Sequence, residues 1–117
     1  MAMAAAELAR RAKPEHVRLH LDHIPVVDED NLRGNYLPII REAIQLGYES
    51  VMVDGSRLSL EENIQAVCPA VEMVNAAGAP IEAELGTVMG HESGPMPSYE
   101  ELFASGKGFT NVAEAKR

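Results

Sequence analysis

The 117-residue sequence has no tryptophan, few aromatic residues and a single cysteine, Cys68. A lone cysteine excludes an internal disulfide, and it favours a reducing, cytoplasmic location. With aromatic residues at only 4%, the core must be mostly aliphatic, and an apolar content of 46% is typical of a soluble globular protein. Cys68 lies on the apolar side of a helical pattern, so we expect a buried, unreactive thiol.

Basic residues and long apolar runs are also scarce. The net charge is −8, from 10 Lys and Arg against 18 Asp and Glu. A nucleic-acid partner is therefore not expected, because phosphate chains bind basic surfaces. A membrane partner is not expected either, since no apolar run approaches the roughly 20 residues of a spanning helix. The Ala-rich N-terminus is interrupted by Glu7 and reads as a helix, without the long apolar segment of a signal peptide.

Helical and extended patterns alternate along the chain. Strands are predicted at 17–23, where Val and Leu alternate with polar residues, at the nearly continuous apolar run 48–53, and at 81–85. Helices are predicted at 2–12, from about 35 to 46, and between Ser59 and Gly78. This order predicts an α/β fold with right-handed crossovers and a parallel sheet in which the three strands are neighbours in chain order.

The pattern between Ser59 and Gly78 is the longest helical one. Ser59 and Glu62 have the spacing of a capping box. Pro69 lies inside the pattern, so we expect a kink there. Five apolar residues repeat at spacings of three and four and predict the buried face: Leu60, Ile64, Val67, Val71 and Val74.

The C-terminal part of the chain has a different character. Residues 87–109 are rich in Gly and Pro and predict a long irregular loop, of the kind that is usually functional or mobile. Asn111 and Glu114 then have the spacing of a helix start.

Imidazole and carboxylate groups recur at the ends of all three predicted strands. The side chains concerned are His20, Asp22 and His23, then Asp54, then Glu82 and Glu84, with Glu92 in the loop beyond. Such a mixture suits Zn²⁺, and a further carboxylate can move a proton. A histidine on a strand is also commonly a structural, hydrogen-bonded residue, and that interpretation stays open for HLDH alone. Recurrence at successive strand ends favours a metal or catalytic site.

Three segments resemble one enzyme family in order and spacing: VRLHLDH, SVMVDGSRLSLEENI and IEAELGTVMGHE. They are similar to the class II, zinc-dependent aldolases of the fructose- and tagatose-bisphosphate type, over about residues 15–116. The resemblance implies a partial (β/α)8 TIM barrel in which residues 1–117 are a single segment, truncated at both ends, corresponding to about strands three to five with flanking helices.

The resemblance also implies an activity. The family cleaves or forms a ketose bisphosphate, giving dihydroxyacetone phosphate and an aldehyde, with Zn²⁺ or another divalent metal as cofactor. A cytoplasmic homo-oligomer is expected. Asp22 matches the catalytic acid/base at the C4 hydroxyl, and Glu92 matches a loop carboxylate that transfers protons. His23 and Glu84 match zinc ligands, and we expect them to converge because both lie at the same edge of the sheet. Three further residues match positions that orient ligands or lie near the metal: His20, Asp54 and Glu82.

One departure and two alternatives accompany this interpretation. Ile24-Pro25 and the acidic run DED follow His23, where the family usually has a small residue, which bears on substrate choice. The chain could instead be a noncatalytic fragment or associating α/β subunit, or a complete small binding domain. For these 117 residues alone we expect no aldolase activity, weak folding as a monomer and weak Zn²⁺ binding, because His23 and Glu84 are two ligands where zinc sites use three or four.

Overall fold

The structure is a computed structural model that describes residues 2–11, 15–86, 98–106 and 109–117. Within these ranges helices and strands alternate through the third strand, as the sequence predicts. The elements are α1 (Ala2–Arg11), β1 (His20–Pro25), α2 (Tyr36–Gln45), β2 (Ser50–Asp54), α3 (Leu60–Ala76), β3 (Ile81–Ala83), α4 (Tyr99–Ser105) and α5 (Val112–Ala115).

The three strands form one parallel sheet in the order β1-β2-β3. The α/β class and the predicted strand order are therefore confirmed, and the open sheet agrees with a partial TIM-barrel fold. The strand bounds differ slightly from the prediction, because β1 begins at His20 and continues to Pro25, while β3 ends at Ala83. The last paired residues are Val53 and Ala83, so Glu84 lies just beyond the ladder.

The β1 strand contains a bulge at the segment HLDH. Leu21 pairs with Val51 and Ile24 with Val53, so Asp22 and His23 together lie opposite the single residue between those partners. His23 has a φ of 47°, in the left-handed region that non-glycine residues rarely adopt. Consecutive residues of a regular strand face opposite sides of a sheet. The bulge interrupts this alternation. As a result, Leu21 and Ile24 both pack against the core although they are three positions apart.

The core lies on one face of the sheet, beneath α2 and α3. It is mostly aliphatic, as the composition predicts, and its fully buried side chains include Val26, Ile40, Val51, Val53 and Val74. The opposite face is polar. We call it the polar face and define it by four residues whose side chains contact one another in pairs across β1 and β2: His20, His23, Ser50 and Asp54.

The buried face of α3 differs from the predicted one. Of the five apolar residues in the predicted stripe only Val74 is buried, and the buried residues are Asn63, Ala66, Ala70 and Val74. Small alanine side chains let the helix backbone approach its neighbours, and the bulkier residues flank that line. Cys68 is exposed rather than buried, because it points away from the line through Ala66 and Ala70. Pro69 lies inside the helix without ending it.

Part of the predicted loop at 87–109 is helical instead. The helix α4 begins with a capping box in which the side chains of Ser98 and Glu101 bond each other's backbone N–H groups. The same spacing marks the start of α3 at Ser59 and Glu62, which is confirmed as a capping box. A local sequence signal for α4 was therefore available. In the described ranges no helix has both the length and the apolar character needed to cross a membrane.

Candidate metal centre

Three side chains converge where the three parallel strands end. Nδ1 of His23 lies 3.5 Å from Oδ2 of Asp54 and 3.5 Å from Oε2 of Glu84. One ligand atom from each residue lies within 4.8 Å of the other two. The carboxyl ends of parallel strands share one edge of the sheet. The expected convergence of His23 and Glu84 is therefore confirmed, and Asp54 joins them.

This group fits a divalent cation. The Glu84 side chain is only 14% exposed, and its Oε2 has no hydrogen-bond partner within the described ranges. The 3.5 Å approach of His23 is thus an electrostatic contact rather than a hydrogen bond to that oxygen. A buried carboxylate oxygen without a donor is costly unless a cation compensates it. One imidazole and two carboxylates are ligands that Zn²⁺ and related metals accept.

The electrostatics of the group agree with its geometry. The hydrogen bond to Asp54 raises the pKa of His23, and the nearby carboxylates add to this effect. Burial alone raises the pKa of Asp54, but hydrogen bonds from Ser56 and His23 outweigh it and hold the value below its ordinary one. Burial, followed by the charge of Asp54, raises the pKa of Glu84. The carboxylates of Asp54 and Glu84 therefore share one positive partner, the imidazole of His23. A bound cation would supply the additional positive charge.

A second cluster lies beside this group on the polar face. Nδ1 of His20 is 2.7 Å from Oγ of Ser50, its partner across the strands. Nε2 of His20 is 3.6 Å from Oδ1 of Asp22 and 4.0 Å from Oε2 of Glu82. The side chains of Asp22 and Glu82 are 65% and 64% exposed. Asp22 is therefore next to His23 in the chain but outside the group of three.

Two residues that sequence reasoning missed support the site. Ser50 contacts His20, and Asn63 of α3 donates a hydrogen bond to the carbonyl oxygen of Glu84 at 2.8 Å. The contact of Ser50 depends on strand register, which no local pattern specifies. Asn63 did carry a signal, as a polar residue in line with Ala66 and Ala70 on one helix face. Glu92, expected to transfer protons, lies outside the described residues.

Comparisons with known proteins identify the family of this chain. The family model described as fructose-bisphosphate aldolase class-II matches residues 1–117. The chain is 41% identical over 78 residues to a fructose-bisphosphate aldolase of Streptococcus pneumoniae serotype 4, covering 67% of this chain and 23% of that protein. A fructose-bisphosphate aldolase of Staphylococcus epidermidis is 40% identical over 76 residues, covering 65% and 23%.

A solved structure is also similar. The crystal structure of the YdjI aldolase from Escherichia coli K12 matches with a TM-score of 0.62 and 31% identity, covering 97% of this chain and 36% of that one. The matched segment thus spans about a quarter of the curated relatives and about a third of the solved structure. The family model nevertheless matches the whole length, and the described parts of the three resembling segments contribute His23, Asp54 and Glu84 to one group. The chain belongs to the class II fructose-bisphosphate aldolase family.

Proposed function

We propose that this chain contributes the metal-and-base part of an enzyme for aldol cleavage and condensation of a ketose bisphosphate, giving dihydroxyacetone phosphate and an aldehyde. The observation that carries the proposal is the group of His23, Asp54 and Glu84, with ligand atoms within 4.8 Å of one another. The carboxylate of Asp22 immediately precedes His23 along the chain. Family membership supports the reaction class.

The metal would be held by His23 and Glu84, with Asp54 as a third donor within reach. When bound, Zn²⁺ or a similar cation supplies electrostatic stabilisation for negative charge that develops on a substrate oxygen. Asp54 also holds His23 through the Nδ1 contact, and its other oxygen accepts a hydrogen bond from the backbone N–H of Ser56 at 2.9 Å. This bond orients the carboxylate toward the imidazole.

Asp22 removes the proton of the C4 hydroxyl during cleavage and returns it during condensation. Three features support this role. Its carboxylate is 65% exposed, it contacts His20 across 3.6 Å, and it lies outside the group that would bind the metal. A proton-transfer group needs access to substrate and freedom from the cation. Glu82 flanks His20 from the neighbouring strand, and the resemblance assigns a further proton transfer to Glu92.

The proposal can be tested in two proteins. In the first, the purified chain is titrated with Zn²⁺. In the second, residues 15–86 replace their equivalents in the YdjI aldolase, and fructose and tagatose bisphosphates are assayed for release of dihydroxyacetone phosphate. We expect weak Zn²⁺ binding and no turnover in the chain alone. In the chimera we expect tighter Zn²⁺ binding and turnover that a chelator abolishes and Zn²⁺ restores.

Two results would contradict this proposal. Turnover that survives chelation, together with a covalent intermediate that borohydride traps, would indicate a Schiff-base mechanism instead of a metal-dependent one. Metal binding without any turnover in an otherwise folded chimera would support the noncatalytic alternative. A homo-oligomeric, cytoplasmic enzyme is part of the same proposal.

A further inference from the structure

Asn63 occupies an unusual position for an amide side chain. It is 5% exposed, and among the described residues it is the buried polar one. It lies on the line of α3 that faces the core, together with Ala66, Ala70 and Val74. Its Nδ2 donates to the carbonyl oxygen of Glu84 at 2.8 Å, which joins α3 to the end of β3.

The same side chain also contacts the end of β2. A Cβ atom placed on Gly55 would lie 2.1 Å from Oδ1 and 2.4 Å from Cγ of Asn63. The amide of Asn63 therefore packs directly against the backbone of Gly55, next to Asp54. Any side chain at position 55 would collide with this amide. One side chain thus contacts the peptide after Asp54 and the peptide of Glu84.

The position of Glu84 needs such a support. The last paired residue of β3 is Ala83, so the ladder with β2 does not extend to Glu84. The bond from Asn63 holds the Glu84 peptide where strand pairing has ended. An unsupported peptide at a strand end is free to shift, and a ligand carboxylate shifts with it.

Stability alone does not explain the amide. Oδ1 of Asn63 is buried and has no hydrogen-bond partner in the described part of the chain. A buried acceptor left unpaired costs free energy, so the unpaired Oδ1 offsets part of the stabilisation from the bond that Nδ2 donates to Glu84. The amide lies in a buried helix face that otherwise consists of alanine and valine, which points to a role in geometry.

We propose that Asn63 is a positioning residue of the metal centre. By bonding the Glu84 carbonyl and packing on Gly55, it sets the separation between the carboxylates of Glu84 and Asp54. This inference rests on the proposed metal function of His23, Asp54 and Glu84. Asn63 is not one of the three proposed ligands, and it acts through the backbone of Glu84 and of Gly55, the residue after Asp54.

The test is a double-mutant cycle read out as Zn²⁺ affinity by calorimetry of the purified protein. Asn63→Ala should weaken binding by about tenfold or more, the usual effect of removing a group that orients a ligand. Gly55→Ala should weaken it similarly, because the added methyl displaces the amide. The double variant should bind no more weakly than Asn63→Ala, since both changes remove one contact.

A matched control separates positioning from stability. Val74→Ala removes buried volume from the same helix, far from the site, and should lower the melting temperature while leaving Zn²⁺ affinity unchanged. In metal-free protein, Asn63→Ala should speed amide exchange at 84–86 relative to 51–53, whereas Val74→Ala should affect both segments alike.

The outcomes are distinguishable. If wild type and His23→Ala have the same Zn²⁺ affinity, the proposed metal site fails, and this inference fails with it. If wild type binds more tightly than His23→Ala, but Asn63→Ala binds as wild type does, the inference alone is overturned. Independent, multiplicative effects of Gly55→Ala and Asn63→Ala would also overturn it, because they would show two separate contacts.

Discussion

Asp22 and His23 are consecutive residues, yet both face the polar side of the sheet, because the β1 bulge places them together opposite the residue between Val51 and Val53. Asp22 contacts His20, while His23 contacts Asp54 and Glu84. A regular strand would send one of the two side chains into the core. The bulge therefore places the proposed base and the proposed metal ligand at adjacent positions with separate contact partners.

The first prediction concerns this division of roles. Asp22→Asn in the YdjI chimera should lower turnover by about 10² or more while zinc content stays intact, because the amide cannot accept the C4 hydroxyl proton. Turnover and zinc content are measured on the same preparation. His23→Ala is the contrasting variant, since it should lose zinc and turnover together. Loss of zinc in Asp22→Asn would reassign Asp22 as a ligand.

The second prediction is a trade-off between stability and metal binding at Glu84. In metal-free protein at neutral pH, Glu84→Gln should raise stability by on the order of 1 kcal/mol, since it removes a buried charge beside Asp54. The same change should weaken Zn²⁺ binding, because a neutral amide is a poorer ligand. Thermal melts with and without Zn²⁺ measure both effects. If Glu84→Gln is less stable than wild type without metal, the charge of Glu84 is already balanced by neighbouring groups, which contradicts the prediction.

The third prediction is a pH dependence at the start of α3. Hydrogen bonds from the Ser59 side chain and backbone lower the pKa of Glu62. A lowered folded-state pKa means that this stabilisation is present above the unfolded pKa and is lost as pH falls through the folded value. Glu62→Ala should therefore lower the melting temperature at pH 7 and have less effect at pH 3. Glu72→Ala, an exposed change in the same helix, should show no such difference.

The fourth prediction concerns association. In the described ranges β1 and β3 are the edges of the sheet, and the core beneath α2 and α3 lies on the face opposite the polar face. Unpaired edges favour pairing with another chain. Light scattering should give a mass above the 12.7 kDa of one chain, rising with protein concentration. A well-folded monomer from micromolar to near-millimolar concentration would contradict both this prediction and the expected homo-oligomer.

The sequence by itself determined the architecture and the rough location of the site. Alternating apolar and polar residues and helix caps are local signals, and they predicted the parallel order β1-β2-β3. Parallel strands end at one edge, so the convergence of His23 and Glu84 followed without any knowledge of packing. The helix α4 was equally readable from Ser98 and Glu101, although the surrounding Gly and Pro residues favoured a loop.

Only the tertiary structure decided how the site is assembled. Its deciding contacts join residues 21 to 31 positions apart: His20 with Ser50, His23 with Asp54, and Asn63 with Glu84. They depend on strand register, on the bulge that changes which residues share a face, and on Ala66 and Ala70 bringing α3 close. These features arise from packing between segments, where the free energy depends on both surfaces at once. The sequence pattern of a single segment therefore cannot predict the register, the bulge or the helix approach.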